Sequence, residues 1–322
     1  HAQCGGGGPG KAQGIIIIMS ATYRSHGKLL LTGEYAVLDG AEALGLPARF
    51  GQTLNISEGN TPVLLWKSLD HEGKTWFETE FRPGELDPDE KDPSGDDTRD
   101  ILQGLLREAV RLNPKFYTEL KGKQAISQLE FPRSWGLGSS STLISNIAQW
   151  AGIDPYILLW NAFGGSGYDI ACARADGPLI YRVQERIPVT ESIAFNPPFH
   201  ERLFFVHLNR KQSSREAISQ YRKNFQNYEG FLEEVSALTR AVATCTDWDA
   251  FTSLMRKHEN LLSGVLEMER VQDQLFPDFD GFVKSLGAWG GDFVMAGGEG
   301  DIPSYFRAKG YGTVLRYRDM VL

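Results

Sequence analysis

Residues 131–142 read Phe-Pro-Arg-Ser-Trp-Gly-Leu-Gly-Ser-Ser-Ser-Thr, and this stretch decides how the rest of the chain is interpreted. A strand pattern over residues 125–131 precedes the loop, and a helix pattern over residues 143–151 follows it. A loop that leads into a helix leaves free backbone N–H groups, and the helix dipole favours an anion there. Gly136 and Gly138 would let an anion approach the main chain closely. A serine-capped helix after a glycine turn explains the same pattern without any ligand.

The composition is that of an ordinary globular chain, with 322 residues of which 41% are hydrophobic and 23% charged. This length allows one large or two medium domains. The formal net charge of −8 argues against a nucleic-acid partner, because binding to phosphate backbones needs clustered Lys and Arg. Three cysteines are too few for a disulfide framework, which fits a cytoplasmic location. No apolar run approaches the roughly 20 residues that cross a membrane, so we expect no membrane partner.

The beginning of the chain differs from the rest. Residues 1–18 are rich in glycine and lack periodicity, so we expect a foreign or disordered leader there, with Met19 as a plausible natural start. Residues 5–12 nearly match a Walker A loop, but Ala12 stands where Ser or Thr is required and no strand precedes it. We therefore do not assign a nucleotide site to this segment.

The remaining pattern starts with strands, continues with helices and ends with strands. This order predicts an α+β chain of two fused lobes, which we divide into an N-terminal domain, residues 19–195, and a C-terminal domain, residues 196–322. The predicted strands are 28–32, 53–56, 63–66, 75–81, 125–131, 179–182, 202–208, 282–286, 293–296 and 312–317. The predicted helices are 98–112 with Thr98 as N-cap, 143–151, 154–163 and two or three within 214–265.

Three glycine-rich joints lie next to element ends, where binding loops commonly sit. They are residues 136–141, 164–169 and 287–292. Together with residues 25–34 they resemble the motifs of the GHMP kinase superfamily, which includes galactokinase, homoserine kinase, mevalonate kinase and phosphomevalonate kinase. Residues 132–140 resemble its Pro-x-x-x-Gly-Leu-Gly-Ser-Ser loop, residues 26–37 its first motif, and residues 287–292 its third.

The finer resemblance is to the mevalonate-pathway branch. Residues 33–37, Gly-Glu-Tyr-Ala-Val, and 165–171, Gly-Ser-Gly-Tyr-Asp-Ile-Ala, are similar to segments of mevalonate and phosphomevalonate kinases. The Gly-Tyr-Asp-Ile-Ala run also marks a group of bacterial GHMP proteins. The resemblance implies an N-terminal lobe like domain 2 of ribosomal protein S5, a ferredoxin-like C-terminal lobe, and an active site in the cleft between them. It implies an ATP- and Mg²⁺-dependent kinase for mevalonate or phosphomevalonate in isoprenoid precursor synthesis.

The resemblance assigns the nucleotide to the loop at residues 132–141, and Ser140 to a hydroxyl near Mg²⁺. It implies that Asp169 is the base for the acceptor hydroxyl and that Lys28 stabilises the developing charge. An Asp that stabilises a turn and a surface Lys at a strand start are the structural alternatives. The residues assigned to ATP are Pro132, Gly136, Leu137, Gly138, Ser139, Ser140 and Ser141.

Several residues are candidates for contacts with the substrate, which we expect to be a small hydroxy acid or its phosphate. The basic stretch 208–215 could bind a carboxylate or phosphate, although a capped helix with a basic first turn is an equal alternative. A packed structural histidine is likewise an alternative for His26. Lys284 is a further contributor from the third motif. The candidates are His26, Glu34, Lys211, Ser213, Ser214, Arg215, Gly287 and Asp292.

Two departures from the family pattern leave alternatives open. Trp289 stands where the family commonly has glycine, which could narrow the third loop. Leu158 stands near the position of the metal-binding Glu of mevalonate kinase and cannot ligate a metal. A GHMP kinase for a sugar or amino-alcohol, and a non-catalytic metabolite sensor on the same scaffold, therefore remain alternatives. A dinucleotide oxidoreductase does not fit, since the third glycine of its motif is missing. Monomer and homodimer are equally compatible with the sequence.

Overall fold

The computed structural model describes residues 21–90, 97–210, 214–225 and 228–322. The leader expected at residues 1–18 lies outside these ranges. Within them the chain is an α+β protein of two lobes, each built on its own sheet. No helix of the described ranges combines the length and the apolar character that crossing a bilayer needs.

The N-terminal lobe contains a seven-stranded sheet organised around one long strand. The 16-residue β2 pairs along its length with β1, β5 and β6, all antiparallel. The order is β4-β3-β5-β2-β6-β7 with β1 also on β2, and β3 runs parallel to β5. The strands are β1 (Ala21–Thr32), β2 (Ala43–Glu58), β3 (Leu64–Leu69), β4 (Thr75–Phe81), β5 (Lys123–Leu129), β6 (Leu179–Gln184) and β7 (Ile187–Ser192).

Five helices accompany this sheet, and two of them carry predicted site residues. The apolar face predicted for the first helix is buried at Leu102, Leu105 and Leu106, whereas Ile101, predicted on the same face, is 45% exposed. The N-cap of that helix is Asp97 rather than Thr98, because the Asp97 carboxylate accepts the backbone N–H of Asp100. The helices are α1 (Thr98–Leu112), α2 (Phe116–Leu120), α3 (Ser139–Ala151), α4 (Pro155–Ala162) and α5 (Tyr168–Arg174).

The C-terminal lobe has a four-stranded antiparallel sheet in the order β11-β8-β10-β9 with helices around it. Its strands are β8 (Leu203–His207), β9 (Gly281–Ser285), β10 (Phe293–Gly298) and β11 (Val314–Arg316). Its helices are α6 (Ser214–Asn224), α7 (Phe231–Ala243), α8 (Trp248–Leu266), α9 (Val271–Leu275), α10 (Ile302–Ala308) and α11 (Tyr317–Met320).

The two lobes share a continuous apolar core. Leu29 and Leu46 of the first sheet lie in the same buried cluster as Phe205 and Phe293 of the second. The end of the chain also returns to the first lobe, where the N–H of Leu322 donates to the carbonyl of a β2 residue. The boundary predicted at residues 195/196 falls between β7 and β8 and stays a prediction.

Three local elements of the structure were not predicted from the sequence. The apolar stretch 35–38 forms a short 3-10 helix, Ala36–Asp39, because Gly40 adopts a left-handed conformation that ends it. Strand β7 was not predicted, since it is an exposed edge strand that contains a proline and shows no buried alternation. Helix α5 was not predicted either, because the glycine-rich joint before it dominates the local pattern.

Candidate active site

Residues 132–141 form a cradle of backbone groups, which is called the glycine-serine loop here. A 3-10 turn, Arg133–Trp135, leads to Gly136 and Gly138, which have φ values of 64° and 87°. Helix α3 starts at Ser139, and no side chain of the described residues caps its first turn. Its first N–H groups are therefore available to an anionic ligand, in a left-handed loop that glycine adopts readily.

The glycine-serine loop is held in place by residues of both lobes. The Trp135 ring packs edge-on between Phe50 and Phe293, with ring centroids 5.4 and 5.5 Å away. The His207 Nε2 atom lies 3.0 Å from the Ser134 carbonyl oxygen. These aromatic and polar contacts therefore fix the position of the loop.

Lys28 of strand β1 lies directly beneath the same loop. Its backbone N–H donates to the Leu137 carbonyl at 3.0 Å, and its Nζ donates to the Gly136 carbonyl at 3.3 Å. A Cβ atom at Gly138 would be 3.2 Å from the Cε atom of Lys28, so the glycine permits this close packing. The structure thus brings the first motif and the glycine-serine loop into contact at the ammonium group.

Asp169 approaches the same ammonium from the first turn of α5. Its Oδ1 lies 3.5 Å from the Lys28 Nζ, and the two side chains are 27% and 15% exposed, so the pair remains open to a ligand. Burial alone would lower the pKa of Lys28, but Tyr168 and the carboxylates around it reverse the effect and raise that pKa. The ammonium therefore stays charged, as electrostatic stabilisation of a phosphoryl group requires.

The third glycine-rich joint, residues 287–292, is called loop three here. The Asp292 carboxylate at its end is the second carboxylate that reaches the site. An added Cβ at Gly136 would lie 2.1 Å from an Asp292 carboxylate oxygen, so the two residues are in direct contact. The Asp292 charge also contributes to the raised pKa of Lys28. Three segments far apart in sequence therefore converge on Lys28.

An aromatic cavity of about 200 Å³ opens beside the start of α3. The Arg133 guanidinium lies 3.7 Å from the centroid of the Trp76 ring. The Trp76 Nε1–H is buried without a hydrogen-bond partner among the described residues, so it can donate to a ligand. The cavity is lined by Trp66, Ser68, Trp76, Arg133, Ser139 and Ser140, among others. Its flat apolar walls and its contact with the serines suit a nucleobase whose phosphates extend to the glycine-serine loop.

The structure distributes the predicted substrate residues unevenly. The His26 Nδ1 lies 3.0 Å from the Ala48 carbonyl oxygen and packs beside Arg24, and burial lowers the pKa of its imidazole. The Glu34 carboxylate is only 3% exposed and accepts a 2.6 Å hydrogen bond from Lys284. Both side chains are therefore engaged within the protein. Gly287 opens loop three with a φ of 70°.

The predicted basic stretch falls largely beyond the described ranges. Lys211 and Ser213 lie outside the described residues. Helix α6 begins at Ser214, which agrees with a helix start in this stretch, but the side chains of Ser214 and Arg215 also lie outside what the structure describes. The expected substrate role of these four residues therefore stays a prediction.

Both residues that depart from the family pattern, Leu158 and Trp289, are buried in the structure. Leu158 is fully buried in an apolar cluster, so no metal ligand comes from that position. Trp289 is 2% exposed and packs into a C-terminal apolar cluster with Tyr35, so its ring fills the interior. Within the described ranges no three His, Cys, Asp or Glu residues are grouped as a metal site. The carboxylates whose charges act on the ammonium of Lys28 are those of Asp169 and Asp292.

The fold is that of the GHMP kinases, as comparison with solved structures shows. A Streptococcus pneumoniae phosphomevalonate kinase in complex with phosphomevalonate and AMPPNP matches with a TM-score of 0.68 and 16% identity, over 92% of this chain and 99% of that one. The Methanococcus jannaschii mevalonate kinase matches at 0.65 and 17% identity, over 89% and 92%. A Lactococcus lactis galactokinase complexed with galactose matches at 0.59 and 14%, over 90% and 88%. No family model and no curated protein sequence matches the chain.

Sequence reasoning missed several residues of the site. Tyr168 contributes to the pKa of Lys28 and places its ring face 5.5 Å from the ammonium. Tyr168 stands in the Gly-Tyr-Asp-Ile-Ala run, but the sequence analysis gave it no role in the site. Trp66 and Trp76 belong to strands β3 and β4, far along the chain from the glycine-serine loop. Their role as cavity walls depends on the packing of α1 and α3 against the sheet, which no local pattern specifies.

Proposed function

We propose that this protein is an ATP-dependent small-molecule kinase. The observation that carries the proposal is the position of the Lys28 ammonium, which lies 3.5 Å from the Asp169 carboxylate and donates to the glycine-serine loop at Gly136. Phosphoryl transfer depends mainly on positioning and on neutralising charge. An ammonium between a carboxylate and a phosphate cradle meets both needs.

In this proposal the nucleotide lies along the glycine-serine loop. The nucleobase occupies the cavity beside Trp76 and Arg133, and the phosphates reach the backbone of Gly136–Ser141, where the uncapped start of α3 favours their charge. Lys28 stabilises charge that develops on the transferred group. Asp169 accepts the proton of the acceptor hydroxyl while its pairing with Lys28 holds it in place. For a phosphate acceptor, the same geometry positions an oxygen that already carries charge.

The residues present also suit Mg²⁺. Magnesium prefers oxygen ligands and is commonly held by one or two carboxylates together with substrate phosphates. Asp292 supplies a carboxylate whose charge acts on Lys28, and Ser140 supplies a hydroxyl at the start of α3. The ion would neutralise phosphate charge. We propose that Asp292 and Ser140 hold the ion together with the phosphates, while Asp169 acts as the base.

For the acceptor we propose mevalonate or phosphomevalonate. The motif resemblance of residues 33–37 and 165–171 and the likeness to the mevalonate and phosphomevalonate kinase structures support this choice. The likeness to the galactokinase supports a second candidate, a sugar or amino-alcohol acceptor. We propose a cytoplasmic location and a monomer or homodimer.

A coupled assay of ADP release tests the proposal. Purified protein is given ATP and Mg²⁺ with mevalonate, phosphomevalonate, galactose or homoserine in parallel. We expect turnover with one of the first two. Turnover only with galactose or homoserine would overturn the acceptor assignment and keep the kinase. Binding of ATP without turnover on any acceptor would favour a metabolite-sensing protein instead.

A further inference from the structure

Three successive residues immediately after strand β1 each contact the C-terminal lobe. The Gly33 N–H donates to the His258 Nε2 atom at 3.1 Å. The Glu34 Oε1 accepts from the Lys284 ammonium at 2.6 Å. The Tyr35 hydroxyl accepts the backbone N–H of Trp289 at 2.9 Å. We call residues 33–35 the interlobe turn. From it we infer that Glu34 and Tyr35 are positioning residues that hold loop three against the glycine-serine loop.

The partners of the interlobe turn lie on the segment that carries loop three. Lys284 belongs to strand β9, which ends at Ser285 immediately before that loop. Trp289 lies within the loop itself, and Asp292 at the end of the loop contacts Gly136. The preceding strand β1 carries Lys28, which donates to the same glycine. Strand β1 therefore connects Lys28 to the interlobe turn, the interlobe turn contacts the segment that carries loop three, and loop three contacts Gly136 beside Lys28.

The backbone of the interlobe turn is strained. Tyr35 has φ 63° and ψ −47°, and the N–H of Ala36 donates to the Glu34 carbonyl at 2.7 Å. This geometry is a γ-turn of the rare form, which a bulky side chain adopts only where the surroundings enforce it. The strain presents the Tyr35 hydroxyl to loop three and turns the Glu34 carboxylate inward. Strain of this kind is concentrated at functional sites.

The charge at the interlobe turn is deeply buried. Lys284 is fully buried, Glu34 is 3% exposed, and the neighbouring Glu259 accepts the Ser285 N–H at 3.1 Å. A buried ion pair adds little net stability compared with apolar packing, but its hydrogen bonds are directional. Directional contacts at the end of β9 and within loop three orient the loop that carries Asp292, whose own backbone is hydrogen-bonded to Leu208 and Arg210. We therefore assign Glu34 this positioning role in place of the substrate contact that its motif suggested.

The inference rests on the proposed function, and the variant Tyr35→Phe tests it with little disturbance. This change removes only the hydroxyl that accepts the Trp289 N–H and keeps the ring in its apolar cluster. Tyr221→Phe is the matched control. Tyr221 is fully buried in the same cluster, its ring lies 6.0 Å from that of Tyr35, and its hydroxyl lies near Asp39 instead of loop three.

Two readouts separate positioning from general loosening of the core. Hydrogen exchange, followed by mass spectrometry, reports on peptides that cover residues 286–293 and 131–139. Steady-state kinetics reports on turnover. We expect Tyr35→Phe to speed exchange in both peptides and to lower kcat by about tenfold with KM for ATP within about twofold, because misplacement by a fraction of an ångström affects the reaction and leaves the nucleotide contacts intact. Tyr221→Phe should behave like the wild-type protein.

Glu34→Gln provides a second, independent variant, because it keeps the shape of the side chain and removes its charge. We expect the same pattern of exchange and kcat. Unchanged hydrogen exchange at residues 286–293 in both variants would show that the interlobe turn does not hold loop three in place. Faster exchange with unchanged kcat would overturn the positioning role, and equal effects in Tyr221→Phe would assign the change to the core.

If the wild-type protein phosphorylates no acceptor, the proposed function fails. Hydrogen exchange at residues 131–139 then decides whether the interlobe turn positions the glycine-serine loop. Protection there that is unchanged in Tyr35→Phe would overturn the inference.

Discussion

The Asp292 carboxylate occupies the space where Gly136 would carry a side chain, since an added Cβ would lie 2.1 Å from one of its oxygens. Gly136 belongs to the glycine-serine loop of the N-terminal lobe, and Asp292 ends loop three of the C-terminal lobe. The two lobes therefore meet at a position that tolerates only glycine. The meeting point lies within hydrogen-bond distance of the Lys28 ammonium.

Replacing Gly136 by alanine separates the effect of this contact from that of backbone strain. Gly136 and Gly152 have nearly equal φ values, 64° and 63°, but no atom of the described residues lies within 4 Å of an added Cβ at Gly152. Each alanine should cost about 1–2 kcal/mol of stability for its left-handed backbone. Only Gly136→Ala should also reduce turnover, because it displaces Asp292. If both variants lose the same amount in melting temperature and have the same turnover, the contact between Gly136 and Asp292 has no role in the reaction.

Asp169→Asn should remove most of the activity and retain nucleotide binding. The variant keeps the shape of the side chain but loses the proton acceptor, and general bases contribute about 10²–10⁴-fold to turnover. The measurements are kcat and the affinity for a non-hydrolysable ATP analogue by calorimetry. Asp176→Asn, an exposed Asp just after α5, is the control and should keep full turnover. Loss of analogue binding in Asp169→Asn would assign this residue to the nucleotide instead.

Trp76→Leu should weaken ATP binding selectively. Stacking of a base on an aromatic side chain contributes about 1–3 kcal/mol, so we expect KM for ATP to rise about tenfold or more with little change in kcat. Trp248→Leu is a matched control in the other lobe, because Trp248 also lies under a guanidinium, that of Arg202 at 4.8 Å. The idea that the cavity holds the base would not survive an unchanged KM for ATP in a folded Trp76→Leu protein.

The sequence predicted the architecture and the elements that carry the site, but not the pairings that complete it. Helix 98–112 and strand 75–81 were located closely, because apolar periodicity and turn residues are local signals. The convergence of Lys28 and Asp169 followed from motif resemblance. The Lys284–Glu34 pair spans 250 residues, and its formation depends on the packing of two lobes. Neither residue shows locally that its charge will be buried.

The buried carboxyl of Glu259 makes stability depend on pH. Burial raises the pKa of Glu259 to about 8, with Lys284 opposing the rise and Glu34 adding to it. One ammonium thus faces two carboxyl groups, and we expect Glu259 to be protonated in the folded protein at pH 7. In the unfolded chain its pKa returns to about 4.5. Between these values the folded state holds the additional proton, so the free energy of unfolding falls as pH rises through this window.

Urea unfolding at pH 6 and pH 9 measures this dependence, and Glu259→Gln should reduce it. Glutamine imitates the protonated carboxyl, so the variant should gain stability relative to the wild-type protein at pH 9, on the order of a few kcal/mol. Glu234→Gln is the control, because Glu234 is 43% exposed and pairs with the exposed Lys257. The control should follow the wild-type pH dependence. A Glu259→Gln protein that is less stable than wild type at pH 9 would mean that Glu259 is ionised in the fold and that Lys284 is shared between two charged partners.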